Sequence, residues 1–179
     1  GHSVRVTDMT MRLSKRMGLT APTLTHIRYG ALLHDIGKIA IPDSILYKNG
    51  PLSEQEWEVM RLHPTYAQQL LATIPYLKDS MDIPLYHHER WDGSGYPFGL
   101  RGEQIPLAAR IFCVIDVWDG LRSERPYHPA WPEAQVREYL LQNSGSHFDP
   151  EIVQSFLKLL KEEAPLLLTE EKNHANPKD

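Results

Sequence analysis

The run His34-Asp35-Ile36-Gly37-Lys38 is followed at a distance by His63, by the pair His87-His88 and by Asp116. Imidazoles and carboxylates thus arrive from four separate segments, together with a lysine. A metal centre that activates water needs such a set, with several N and O donors around an open coordination position. Each residue alone has an ordinary reading. His34 suits the negative end of a helix, with Asp35 as a turn residue. His63 before Pro64 could cap, His87-His88 could be a surface pair, and His2 could face solvent. Lys38 could be a helix-end lysine; beside a metal centre it would meet a phosphate oxygen. Asp116 is more pointed, because its helix puts it on one face with Ala109, Phe112 and Cys113. A carboxylate buried there without a partner is costly, so a metal or an Arg or Lys must meet it. The whole set, with Gly95-Tyr96-Pro97 just after the His pair, is hard to explain as packing.

The elements that must position these residues read as helices. Residues 2–17 form one, closed by Gly18. Pro22 opens the next, with Leu24, Ile27, Ala31 and His34 at helical spacing, ending near His34-Asp35. Residues 38–51, with Pro42, Gly50 and Pro51, read as a loop. Ser53 and Glu56 make a capping box, and that helix runs to His63, where Pro64 breaks or kinks it. A further helical stretch reaches about Ala72, and residues 78–89 form a helix ending in His87-His88. Residues 90–104 are a structured Gly- and Pro-rich loop. Pro106 starts a buried helix through Asp119, and residues 132–143 and 150–163 are two more. No period-two alternation is convincing. The expectation is an all-α fold: one compact helical domain of about seven helices over residues 1–168, with a polar tail at 169–179.

Composition sets outer bounds. The 179 residues suit a single domain with a sizeable core. A net charge of −4 gives no reason to expect binding to a nucleic acid polymer. With one cysteine, Cys113, no internal disulfide can form, and a reducing, cytoplasmic setting is expected. No apolar run is long enough to span a membrane; the best candidate, 105–118, carries Arg110 and Asp116. The chain opens directly in helix-like sequence, which suggests a domain cut from something longer. A His and carboxylate donor set without Cys favours iron or manganese, with zinc or nickel as alternatives.

The sequence resembles the HD-GYP domain, a bacterial subgroup of the HD phosphohydrolase superfamily. The resemblance is carried by Gly1-His2-Ser3, Leu33-His34-Asp35-Ile36-Gly37-Lys38-Ile39, Glu56-Trp57, His63-Pro64, the run from His87-His88-Glu89 to Gly95-Tyr96-Pro97, Ile105-Pro106-Leu107-Ala108-Ala109-Arg110, Asp116 with Asp119, Arg125-Pro126-Tyr127 and Phe148-Asp149-Pro150. It covers nearly all of residues 1–157. It implies an all-α fold with two or three divalent metal ions, and hydrolysis of cyclic di-GMP to pGpG and then GMP. His34, Asp35, His63, His87, His88 and Asp116 fall on the binuclear ligand positions, with Asp35 the bridge and a catalytic residue. His2 falls on a ligand position for a third metal, whose partner Glu would lie one turn upstream. Lys38 and Arg125 fall on phosphate-contacting positions, and Lys38 is a candidate to assist the leaving oxygen. His128 stands where the family usually has a second basic residue. Tyr96 or Trp91 could stack on a guanine, or both could pack the loop onto the core. Ala67 replaces a family glycine and could narrow the cleft. The resemblance further implies an upstream sensory or receiver domain and a diguanylate cyclase as partner at the Gly-Tyr-Pro loop. Two other readings stay open: a weakly active cyclic di-GMP sensor or docking module, and a hydrolase for another cyclic dinucleotide such as cyclic GMP-AMP.

Overall fold

A computed structural model describes the backbone of residues 1–124 and 129–174, with side chains up to residue 162 in the last helix. Nine α-helices are found among the described residues: α1 His2–Arg16, α2 Ala21–Leu32, α3 Asp43–Leu46, α4 Glu54–Met60, α5 His63–Leu71, α6 Asp82–Tyr86, α7 Leu107–Arg122, α8 Glu133–Gln142 and α9 Pro150–His174. Tight 3₁₀ turns fill Ile36–Ala40, Pro75–Ser80 and Gly102–Gln104. The described residues contain no strand, only one isolated bridge between Ser144 and Phe148. The fold is therefore all-α, as the sequence predicts. The count exceeds seven because two helices, α3 and α6, have only four and five residues.

The protein is built around α7. Ala109, Ile111, Phe112, Cys113, Val114, Ile115 and Trp118 are all buried there, so this helix is apolar on nearly every side and must lie at the centre. Helices α1, α6, α8 and α9 pack around it, and α2 lies against α1 and α6. Phe112, Phe148 and Phe156 are among the largest fully buried side chains. Burial of each such ring removes enough apolar area to stabilise by roughly 1.5–3 kcal/mol. In α1 the buried hydroxyls of Thr7 and Thr10 donate to the carbonyls of Ser3 and Val6, which lets polar residues sit on its core face. Arg16 of α1 pairs with Glu162 of α9.

Several boundaries differ from the sequence reading, each for a local reason. Gly18 does take a positive φ of 81° after α1. The Ser53–Glu56 capping box is present and starts α4. Residues 38–51 are not a plain loop, because the 3₁₀ turn and α3 occupy part of them. Pro64 does not end a helix. α4 stops at Met60, and His63 and Pro64 are the first two residues of α5, where the missing N–H of proline costs nothing. The stretch 78–89 is split between the 3₁₀ turn ending at Ser80 and α6, and His87-His88 follow α6 rather than end a long helix. The backbone of α9 continues to His174, past both the expected end at 163 and the start of the expected tail.

Candidate metal centre

Three histidines sit just beyond or between helix ends, and each uses a carbonyl there. The last carbonyls of a helix have no partner within it. His34 Nδ1 lies 2.8 Å from the Ala31 carbonyl of α2. His63 Nδ1 lies 2.8 Å from the Met60 carbonyl of α4. His87 Nδ1 contacts the carbonyls of Ile83 and Pro84 in α6 at 3.0 and 3.2 Å. A carbonyl can only accept, so in all three rings Nδ1 carries the hydrogen and Nε2 presents a lone pair. The rings are buried, and the three lone pairs converge.

Two donor sets result. Asp35, His63, His87 and His88 each offer an atom within 4.8 Å of the others, and His2, His34 and Asp116 form a second such set. Asp35 reaches both: one oxygen is 3.3 Å from His34 Nε2, and the other is 3.6 Å from His63 Nε2 and 3.9 Å from His87 Nε2. The Nε2 atoms of His63 and His87 are only 3.4 Å apart. With both hydrogens on Nδ1, these are two lone pairs facing one another beside a carboxylate, an arrangement that calls for a cation. A proton is a poor candidate. Burial, then the nearby His34, pushes His87 down to about 4. Burial and the charge of His87 push His88 well below its ordinary value, and burial lowers His63. Neutral imidazoles and a carboxylate that stays ionised suit a divalent metal. Burial works against the Asp35 charge, but contact with His34 and the charge of Lys38 keep its carboxyl well below the usual range. Contact with Asp116 raises His2, burial opposes this, and Asp119 adds to the rise.

The cleft over these groups has a volume of about 510 Å³. Lys38 lies in it, with Nζ 2.7 Å from Asp35. The structure thus brings together His2, His34, Asp35, Lys38, His63, His87, His88 and Asp116. His2 lies in the same set as His34 and Asp116 rather than apart from them. Arg125 and His128 lie outside the described residues.

The aromatics divide differently from expectation. Trp91 does not line the cleft. Its ring lies 5.8 Å from the Arg110 guanidinium, and its backbone pairs with His147 and Gly102, on the far side of the Gly/Pro loop. Tyr96 does line it, but its ring stacks on His88 with centroids 4.7 Å apart and planes 21° apart. Ala67 is fully buried against the backbone near Gly37 and does not line the cleft, so its methyl does not narrow it. The aromatic that does line the cleft and remains 42% exposed is Trp57, beside Leu46, Leu52 and Met60. Its position after the capping box was the available signal.

The Gly-Tyr-Pro loop braces His88. A Cβ on Gly95 would lie 2.4 Å from the Arg90 nitrogen and 2.5 Å from the His88 carbonyl, so only glycine lets the loop close onto this turn. Buried Glu89 accepts from the backbone N–H groups of Phe98 and Leu100 at 2.8 and 3.0 Å, which ties down the far side of the loop.

The half-buried imidazole of His147 lies apart from the cleft. Burial, then Arg90, depresses His147 to about 4, and its ring stacks on Phe148. Between about pH 6.5 and 4 the unfolded chain then holds a proton on this residue that the folded chain lacks. The expected result is a contribution to stability that is fully present above pH 6.5 and lost as pH falls toward 4. Thermal melts across that range should show a shallower acid loss in His147→Gln than in the wild type; parallel curves would contradict the assignment.

The fold and the paired donor sets are those of a helical domain able to hold divalent metal. Residues 1–152 match the HD domain family. The chain belongs to that family, and its intact Gly95-Tyr96-Pro97 puts it in the HD-GYP group. It is 42% identical over 163 residues to the cyclic di-GMP phosphodiesterase of Thermotoga maritima, covering 90% of this chain and 44% of that protein. It is 40% identical over 159 residues to the 3'3'-cGAMP-specific phosphodiesterase 2 of Vibrio cholerae, covering 88% and 30%. It therefore spans less than half the length of either relative. The fold is shared with a HDG"Y"P protein from Bdellovibrio bacteriovorus, with a TM-score of 0.70 at 24% identity over 89% of this chain and 51% of that one. No helix among the described residues is long and apolar enough to cross a membrane.

Proposed function

We propose that this domain is a metal-dependent phosphodiesterase that hydrolyses cyclic di-GMP to pGpG and onward to GMP. The observation that carries the reading is the placement of Asp35 between two donor sets, in reach of His34 on one side and His63 and His87 on the other. Both relatives named above act on cyclic dinucleotides by their names, which supports the substrate class. The seven donors fit two ions, with His2 serving the second set. Iron or manganese suits this chemistry best. Bound there, divalent ions would supply Lewis-acid stabilisation of a phosphoryl group and a water nucleophile at neutral pH. Water adds to phosphorus, the bond to the 3′ oxygen breaks, and that oxygen leaves with a proton. Lys38 offers a cation to the phosphoryl oxygens from the cleft wall. The same reading implies a cytoplasmic setting. It also makes the Gly-Tyr-Pro loop, where Phe98 is 56% exposed, the surface for a diguanylate cyclase domain. An upstream sensory or receiver domain completes it.

A second substrate, cyclic GMP-AMP, is favoured by the Vibrio cholerae relative. The test is direct. Protein loaded anaerobically with Fe(II) or Mn(II) is incubated with each cyclic dinucleotide, and the products are separated by chromatography. Metal-dependent pGpG or GMP from cyclic di-GMP is the expected result. Product from cyclic GMP-AMP alone would shift the substrate, and none from either would overturn the reading. Trp57 supplies a base-stacking wall in this scheme. Trp57→Ala should raise KM about 5- to 150-fold, the equivalent of roughly 1–3 kcal/mol of stacking, with kcat little changed. An unaltered KM in steady-state kinetics would show that no base rests there.

A further inference from the structure

His2 has no helix end behind it. As the first residue of α1 it lacks the carbonyl that orients His34, His63 and His87. We infer that Asp119 is the positioning residue that fixes the His2 ring for the second donor set. The inference rests on the metal reading proposed above.

The geometry is a two-rung ladder between α1 and α7. His2 and Arg5 are one turn apart on α1, and Asp116 and Asp119 are one turn apart on α7. Asp119 Oδ2 lies 2.6 Å from His2 Nδ1, while His2 Nε2 lies 3.1 Å from Asp116 Oδ1. A carboxylate only accepts, so Nδ1 carries a hydrogen toward Asp119; Nε2, turned toward Asp116 and His34, is the nitrogen whose hydrogen a metal would displace. This is the carboxylate–histidine arrangement that commonly stands behind a metal-ligating imidazole. Asp119 is itself buried and well partnered. It is 5% exposed, and Arg5 grips both of its oxygens, Nε to Oδ1 at 2.8 Å and Nη2 to Oδ2 at 2.9 Å. Ser123 adds a longer contact at 3.3 Å. Asp119 belongs to neither donor set, so it orients His2 and does not compete with Asp116 as a donor.

The rival account is that Asp119 merely ties α1 to α7. Arg5→Ala separates the two, since it cuts that tie and leaves Asp119 on His2. Metal-stripped wild type, Asp119→Asn and Arg5→Ala are titrated with Mn(II), and bound metal and affinity are measured. Asp119→Asn is expected to keep one ion at wild-type affinity and to bind the second about 10- to 100-fold more weakly. Arg5→Ala should lower the melting temperature yet keep both ions. Unchanged binding in Asp119→Asn, or equal loss of the second ion in both variants, overturns the positioning role. A wild type that binds no ion overturns the metal reading and this inference together. A second readout needs no variant: nitrogen NMR of the histidines in the Mg(II)- or Zn(II)-loaded protein should find His2 protonated at Nδ1. Metal at Nδ1 of His2 would also overturn the inference.

Discussion

Gly37→Ala is expected to destabilise the protein by about 3 kcal/mol or more and to abolish the second messenger hydrolysis proposed above. A Cβ at this position would lie 1.9 Å from the His63 carbonyl oxygen, 2.6 Å from the Ala67 nitrogen and 2.9 Å from the His63 carbonyl carbon. All three are backbone atoms, so no side chain can swing aside. The turn that carries His34 and Asp35 would have to separate from the start of α5, which carries His63. Asp35 and His63 come within 3.6 Å across that contact, so the same shift that relieves the clash pulls the donor set apart. Urea unfolding and metal stoichiometry check this together. A variant within about 1 kcal/mol of wild type, with full metal content, would mean the two segments do not approach as closely as described.

Asp35→Asn is expected to lower turnover of the cyclic dinucleotide by about 10³-fold or more while leaving the fold intact, which amounts to at least ~4 kcal/mol of transition-state stabilisation. The amide has the volume of the carboxylate but not its charge, and it offers one acceptor oxygen instead of two. Asp35 alone reaches both donor sets, so both weaken at once. Its side chain is partly exposed, and its hydrogen-bond partner is the mobile-stemmed Lys38, so little packing is lost. Circular dichroism should match wild type, bound metal should fall, and kcat should drop with it. Turnover above a tenth of the wild-type rate would remove Asp35 from the bridging role.

Much of this was legible in the sequence because the chemistry-bearing residues are of unusual type and come with their own punctuation. Asp116 announced itself as a carboxylate on an apolar helix face. Ser53 with Glu56 and Gly18 marked helix ends through local hydrogen bonding and backbone freedom, which need no tertiary context. The histidines could be grouped by type as metal donors, but which ligand position each takes came only from the resemblance, since nothing in their spacing says that helix ends meet. What was not legible depended on contacts between distant segments. Trp91 and Trp57 are equally aromatic on paper, and only packing turns one toward Arg110 and the other into the cleft. Pro64 reads as a break, yet it is harmless at the second residue of α5. The short α3 and α6 lie below the length at which periodicity gives a signal, and neighbouring elements rather than propensity hold them. Arg5 and Asp119 lie 114 residues apart and look like ordinary surface charges until α1 meets α7.

The backbone carbonyls behind His34, His63 and His87 carry a consequence for how this site tolerates sequence drift. Three rings take their tautomer and aim from main-chain atoms, which are present whatever side chain occupies positions 31, 60, 83 or 84. Substitutions at those positions can alter packing but cannot delete the groups that orient the imidazoles. His2 is the exception, because its aim is set by a side chain that a single codon change can remove. Natural and laboratory variation should therefore spare the aim of His34, His63 and His87 and erode that of His2 first.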